Sequence, residues 1–99
     1  MVYFRDLHHR SIRLTDERLA HLESDHPEMQ GQALRISEAL ADPDRVVRSS
    51  ADAQVELFYK LYPSTPVTTK FLCVVVKTLP DDNFIITSYD TDSVKKGDL

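Results

Sequence analysis

Residues 55 to 92 read VELFYKLYPSTPVTTKFLCVVVKTLPDDNFIITSYDTD, and this stretch decides the fold. Apolar segments rich in β-branched and aromatic residues occupy Val55–Tyr62, 70–79 and 84–89. Turn-forming residues at 63–66 and 80–83 separate these segments, which predicts three consecutive antiparallel strands. The middle segment is the most apolar, and we expect it to lie near the centre of the sheet.

Two helices are predicted upstream of these strands. Thr15 suits the N-cap of a helix over Asp16–Asp25, whose first two acidic side chains favour the positive end of the helix dipole. Pro27 ends that helix and is well suited to open a second one over 27–41. The apolar stripe of the second helix has members three and four residues apart: Met29, Ala33, Ile36 and Leu40.

The predicted fold class is therefore α+β, with two N-terminal helices packed on a four-stranded antiparallel meander sheet. A short strand at 45–49 opens that sheet, and residues 11–15 form either a further strand or an extended lead into the first helix. Side chains alternate between the two faces of a strand, which places Ile85, Thr87 and Tyr89 on one face. The 99 residues fit a single domain, 1–99, in which 1–10 and 93–99 are loose tails.

Composition narrows the classes of function. The chain is 41% hydrophobic and 28% charged, and it has no apolar run near the roughly 20 residues that cross a bilayer, so we expect a globular protein without a membrane partner. Its start lacks the apolar segment of a signal peptide. The single cysteine, Cys73, excludes an internal disulfide and fits a cytoplasmic location. A net charge of -4 argues against broad, nonspecific nucleic-acid binding.

The charge is nevertheless uneven along the chain. Between positions 45 and 77 the basic residues are Arg45, Arg48, Lys60, Lys70 and Lys77, whereas the acidic residues are Asp52 and Glu56. A sheet that carries cations, hydroxyls and phenols on adjacent strands can bind an anion such as a phosphate. The alternative is that each cation is a solvated residue on an outer face of the sheet.

The histidines supply the candidate acid or base. On a continuous helix, His21 and His26 are separated by about 140°, so they do not share a face. A helical zinc site uses two histidines four residues apart, which this spacing does not match. We therefore predict no metal, and we predict no cofactor. His26 lies at the junction of the two predicted helices. The end of one helix favours imidazolium there, and the start of the next favours a nearby anion, as general acid–base catalysis requires. A histidine that only caps the turn is the alternative.

The motifs along the chain resemble one known family. They are LTDER at 14–18, His21, HPEM at 26–29, ADPD at 41–44, VVRS at 46–49, ELFY at 56–59, KFLCVVVK at 70–77 and the ending TSYDTDSVKKG at 87–97. Together they resemble the PBECR group of small bacterial and phage-related proteins, named for phage-type barnase, EndoU, colicin and RelE-like nuclease folds. The resemblance covers nearly the whole chain, and its specific parts are the HPE element and the KKG ending.

This resemblance implies a metal-independent, ribonuclease-like domain of the toxin or effector type that acts on RNA phosphodiesters. By position, it implies catalytic roles for His26, His21, Arg48 and Thr87. Face and charge add Lys60, Lys70, Tyr59 and Tyr89 as candidate substrate-binding residues. The expected reaction is attack by the ribose 2′-hydroxyl, in which a histidine moves the proton and Arg48 stabilises the charge on phosphate.

The sequence leaves open whether the domain is catalytic. The acidic balance and the apolar character of both sheet faces also fit a non-catalytic module that binds a partner protein, such as a cognate antitoxin or immunity-type protein. A structural domain without a site is the third alternative. His26, Arg48 and Thr87 around one concave pocket would favour the nuclease, whereas their dispersal over different faces would favour the binding module.

Overall fold

The structure is a computed structural model that describes residues 1–63 and 70–94. Within these residues the strands are β1 (Val2–Arg5), β2 (Ser11–Leu14), β3 (Arg45–Arg48), β4 (Val55–Tyr62), β5 (Lys70–Thr78) and β6 (Asn83–Thr91). The helices are α1 (Asp16–Asp25) and α2 (Ala33–Ala41), and a single 3-10 turn at Pro27–Met29 lies between them. Residues 64–66 of the predicted turn and residues 95–99 of the predicted tail lie outside the described residues.

All six strands form one mixed sheet in the order β1-β2-β6-β5-β4-β3. The α+β class is confirmed, but the predicted four-stranded antiparallel meander is wrong. Strands β3 to β6 do follow one another as antiparallel neighbours. The β1–β2 hairpin then extends the sheet beyond β6, because β2 pairs with β6 in parallel through Ile12–Asn83 and Arg13–Phe84.

The turn of this N-terminal hairpin is held by the buried carboxylate of Asp6. That carboxylate accepts hydrogen bonds from the backbone nitrogens of His8 and Arg10, at 3.0 and 2.8 Å, while His9 adopts a left-handed φ of 63°. The Arg10 guanidinium binds Asp6 at 2.7 Å and Glu56 of β4 at 2.6 Å. Burial opposes the charge of Arg10, but its bonds to Glu56 and Asp6 outweigh that effect and raise its pKa. Residues 1–10, predicted to be a loose tail, therefore contain β1 and an anchored turn.

The first helix has the predicted bounds, and its cap is the predicted one. Thr15 Oγ1 accepts a hydrogen bond from the backbone nitrogen of Arg18 at 3.1 Å, which satisfies one of the free donors in the first turn. The second helix starts later than predicted. Pro27 opens only a 3-10 turn, and Gly31 at φ 70° redirects the chain before α2 begins at Ala33.

The helices cover one face of the sheet and form the main core with it. The fully buried members include Leu22 of α1, Ile36 and Leu40 of α2, and Leu72 and Val74 of β5. Burying an aliphatic side chain of this size contributes about 1.5–3 kcal/mol. None of the helices in the described part of the chain is long and apolar enough to cross a membrane.

The opposite face, which we call the open face, carries a smaller apolar cluster. Its buried members are Val47, Leu57, Tyr59 and Cys73, and the half-buried side chains packed against them are Val55, Phe71, Val75, Tyr89 and Val94. Among the described residues, this cluster contains no helical residue. The open face is therefore the surface of the sheet that the helices do not cover.

A β-bulge in β6 changes which residues share the open face. Val75 pairs with Thr87 whereas Val76 pairs with Ile85, so Ile86 is an extra residue in the ladder. Ile85 consequently joins the main core, while Thr87 lies on the other face. The prediction that Ile85 shares a face with Thr87 and Tyr89 is wrong, because strict alternation does not hold across the bulge.

Candidate functional site

A cavity of about 330 Å³ opens on the open face. We call it the open-face cavity. Val47, Leu57 and Val75 form its apolar wall, and Arg48 with the following Ser49–Ser50–Ala51 loop forms its rim. Thr87 and Tyr89 complete the lining from β6. Strands β3 to β6 therefore all contribute to one concave surface that combines a cation, hydroxyls and an apolar wall.

Arg48 is the basic residue of this cavity. It is exposed at the end of the edge strand β3 and pairs with Glu56, whose β5 partner Val76 belongs to the main core. Alternation therefore directs the Arg48 side chain towards the face that carries the helices, and Arg48 borders the cavity at the end of the strand. Within residues 1–63 and 70–94, its guanidinium has no ion pair and no hydrogen-bond partner. An exposed guanidinium without a protein partner is available to an anionic ligand, which it can bind through two parallel N–H donors.

Tyr89 and Thr87 stand on β6 at the other side of the cavity. Both residues are half-buried. Burial, together with the adjacent Cys73 side chain, raises the pKa of the Tyr89 phenol, which therefore stays neutral at physiological pH. Thr87 supplies a neutral hydroxyl donor from the same strand.

His26 reaches this region from the end of α1. The helix packs against β6, and the His26 ring lies 5.4 Å from the Tyr89 ring between centroids. Its Nδ1 is 3.8 Å from a carboxylate oxygen of Glu28, and that same oxygen accepts a hydrogen bond of 3.3 Å from the backbone nitrogen of Asp90. The 3-10 turn thus holds the imidazole beside Tyr89. His26 is not itself part of the cavity lining.

Asp90 of β6 makes a second polar contact with the helical segment, besides the bond from its backbone nitrogen to Glu28. Its side chain binds Arg35 of α2 at 3.1 Å, and β6 runs on to Thr91.

The structure does not bring the other predicted site residues to this cavity. Lys60 and Lys70 lie opposite Leu72 and Tyr62, so they belong to the face that carries the helices. Lys60 binds the backbone oxygen of Asp42 at 2.9 Å, and Lys70 binds Asp92 at 2.6 Å. These two lysines stabilise the fold at those places and do not converge with Arg48.

Tyr59 and His21 also lie apart from the cavity. Tyr59 is fully buried in the open-face cluster, where its ring packs edge-on to Phe71 at 6.3 Å. It therefore has no surface that a substrate can contact. His21 projects from α1 with 64% of its side chain exposed, and its Nε2 lies 3.9 Å from Glu17.

Sequence reasoning missed the Ser49–Ser50–Ala51 rim and the contact of Glu28 with His26. Ser49 and Ser50, at the end of the predicted strand over 45–49, were a usable signal for the rim. Glu28 stands inside the HPE motif, two residues after His26, and could have been found there. Among residues 1–63 and 70–94, no group of three or more His, Cys, Asp or Glu side chains is arranged to hold a metal ion.

Comparison with known proteins adds no relative of this chain: no family model, curated protein or solved structure matches it.

Proposed function

We propose that the chain is a ribonuclease-like domain of the toxin or effector type that cleaves RNA phosphodiesters at the open-face cavity. The observation that carries the proposal is the convergence of Arg48, Thr87 and Tyr89 on one cavity, with His26 packed against Tyr89. A phosphate diester needs a cation for its charge, a hydroxyl donor for an oxygen and a nearby group that moves a proton. Arg48 and Thr87 line the cavity, and His26 lies beside it through its contact with Tyr89.

The proposed reaction is an internal transesterification. The ribose 2′-hydroxyl oxygen attacks the adjacent phosphorus while the bond from phosphorus to the 5′-oxygen breaks. The products are a 2′,3′-cyclic phosphate and a free 5′-hydroxyl. His26 either accepts the proton of the 2′-hydroxyl or donates a proton to the leaving 5′-oxygen, and water serves the other transfer.

Two further groups stabilise the reacting phosphate. Arg48 binds the non-bridging oxygens, whose negative charge increases as the attacking oxygen approaches. Thr87 donates a hydrogen bond to one of those oxygens and fixes the orientation of the phosphate. The apolar wall excludes water from one side of the cavity and strengthens both interactions.

The test is cleavage of a mixed-sequence RNA in EDTA, followed by analysis of the termini. Wild-type protein should produce 2′,3′-cyclic phosphate ends, and His26→Gln and Arg48→Gln should each be slower by about 10²–10⁴-fold. Matched controls are His8→Gln, an exposed histidine in the hairpin turn, and Arg45→Gln, a basic residue on the same strand but outside the cavity lining. Full activity of both His26→Gln and Arg48→Gln would refute the site.

One observation favours the alternative of a protein-binding module. The open face has an apolar cluster around Leu57 and Val75 that, among the described residues, no helix covers. A cognate antitoxin or immunity-type protein could bury this surface. Failure of folded wild-type protein to cleave RNA, with or without EDTA, would contradict the nuclease proposal and make the binding module the better account.

A further inference from the structure

The bulge at Ile86 places an additional aromatic side chain beside the proposed catalytic cavity. Phe84 pairs with Lys77, while Thr87 pairs with Val75, and these two positions of β5 share the open face. Two residues along a strand correspond to about 7 Å. Phe84 therefore lies about one residue pair from Thr87 on the same face.

Phe84 belongs to a second cavity, which has a volume of about 230 Å³. We call it the flanking cavity. Its lining comprises Arg13, Thr15, Glu17, Arg18, Phe84 and Ile85, where β2 ends and α1 begins. The Arg13 guanidinium carbon lies 5.4 Å from the centre of the Phe84 ring. The flanking cavity therefore has an aromatic ring and a guanidinium in its wall.

Arg13 is held in place by Asp82. Its Nε and Nη2 donate hydrogen bonds of 3.3 and 2.7 Å to the two oxygens of that carboxylate. The hydrogen bonds to Asp82 raise the pKa of Arg13, which stays charged. Asp82 binds the Nε and Nη2 side of the guanidinium, so Arg13 offers a ligand its flat face and its Nη1 donors.

The charges around the flanking cavity favour a base over a phosphate inside it. Glu17 contributes a carboxylate to the lining, and 88% of its side chain is exposed. That carboxylate repels a phosphate at the same position. Arg18, also in the lining, is exposed and has no side-chain partner among the described residues, so it can bind a phosphate at the margin.

The helix α1 and strand β6 connect the two cavities. The helix begins at the flanking cavity with Thr15 as its cap and ends at His26 beside Tyr89. Ten helical residues span about 15 Å. A single strand of RNA that extends along β6 would therefore meet both cavities.

We propose that the flanking cavity is a base-binding subsite for a nucleotide of single-stranded RNA that lies beyond the two nucleotides joined by the cleaved phosphodiester. This inference rests on the proposed function. Phe84 and the face of Arg13 bind the base by stacking, and Arg18 binds a neighbouring phosphate. Aromatic rings and guanidinium planes bind unpaired bases in this way with little dependence on sequence.

The test compares a short substrate with a longer one. Phe84→Leu keeps an apolar side chain but removes the ring, and it should weaken binding of a non-cleavable 2′-O-methyl hexanucleotide about 10-fold. Cleavage of a dinucleotide, which occupies only the open-face cavity, should change by less than about 2-fold. Fluorescence anisotropy gives the Kd, and thermal unfolding checks the fold.

The matched control is Tyr62→Leu. Tyr62 also has an arginine over its ring, with the Arg35 guanidinium carbon 4.6 Å from the ring centre, but it lies on the face that carries the helices. This variant should bind the hexanucleotide as the wild type does. Equal binding by Phe84→Leu, Tyr62→Leu and wild type would overturn the subsite.

A second variant keeps the proposal testable if Phe84→Leu does not fold. Arg18→Gln changes an exposed side chain. It should reduce the slope of log Kd against log salt by the amount that one phosphate contact contributes, which is about one. An unchanged slope would contradict the role of Arg18. If wild-type protein binds the hexanucleotide through Phe84 but cleaves nothing, the subsite stands and the nuclease proposal fails. No binding by wild type overturns the subsite.

Discussion

The imidazole of His26 and the phenol of Tyr89 lie 5.4 Å apart between ring centroids, with an angle of 34° between their planes. This contact joins the end of α1 to the open face of β6. The Tyr89 hydroxyl interacts with Cys73, so the phenol is fixed from within the sheet. The position of His26 therefore depends on packing against a ring that is itself anchored.

Substitutions at Tyr89 should separate its ring from its hydroxyl. We expect Tyr89→Phe to retain RNA cleavage within about 3-fold of wild type, because the ring still positions His26. Tyr89→Ala should lower kcat by about 10²-fold, because misplacement of a catalytic group by about 1 Å has an effect of that size. Cleavage kinetics with one defined oligoribonucleotide measure both. Equal losses in the two variants would instead show that the hydroxyl itself is required, either through its contact with Cys73 or at the phosphate.

The Asp6 carboxylate should be important for stability. Asp6→Ala removes the acceptor for two backbone N–H groups and one of the two partners of Arg10, so we expect a loss of about 3 kcal/mol in the free energy of unfolding. Urea denaturation followed by circular dichroism measures it. The control is Asp16→Ala, which removes an ion pair between the Asp16 carboxylate and the N-terminal amine. Because the Asp16 side chain is 87% exposed, this change should alter the free energy of unfolding by less than about 1 kcal/mol.

A small effect of Asp6→Ala, similar to that of Asp16→Ala, would contradict the assignment of the hairpin turn to the Asp6 carboxylate. It would indicate that strand pairing alone holds β1 against β2.

Tyr62 should make the fold sensitive to alkaline pH. Burial and the hydrogen bond of 2.7 Å to Glu38 raise the pKa of its phenol to about 12. A raised pKa means that the folded state retains the proton after the unfolded chain has lost it. The stabilisation is therefore complete below the unfolded value of about 10 and disappears as the pH rises through 12.

The measurement for Tyr62 is urea denaturation between pH 9 and 12, with Tyr62→Phe for comparison. Phenylalanine keeps the ring under the Arg35 guanidinium but cannot ionise. The stability of wild type relative to Tyr62→Phe should fall over this interval. Parallel pH curves for the two proteins would refute the assignment.

Local signals in the sequence predicted α1 and the strands of the meander well. Thr15, Asp16 and Glu17 mark the start of α1 through interactions within one helical turn, so no distant contact was needed. The hairpin of β1 and β2 was harder, because its strands have four residues each and its turn depends on the Asp6 side chain. Its parallel partner in β6 lies far away in sequence and leaves no local pattern.

The candidate site was predicted only in part, for a similar reason. Alternation assigns Lys60 and Lys70 to faces of their strands, but it does not say which face the helices cover. Their acidic partners, Asp42 and Asp92, become neighbours only in the fold. The bulge at Ile86 has no distinctive residue, so the position of Phe84 on the open face could not be predicted from the sequence.

The parallel pairing of β2 with β6 has a consequence for the order of folding. Arg13 and Asp82, which meet at this junction, are 69 residues apart in sequence. During synthesis from the N-terminus, the β1–β2 hairpin emerges first but has no sheet to join until β6 has left the ribosome. An isolated two-stranded hairpin is at best marginally stable, and contacts between distant residues slow folding. The β2 edge that pairs with β6 therefore stays unpaired while the intervening residues are synthesised, which exposes this hairpin to mispairing before the sheet closes.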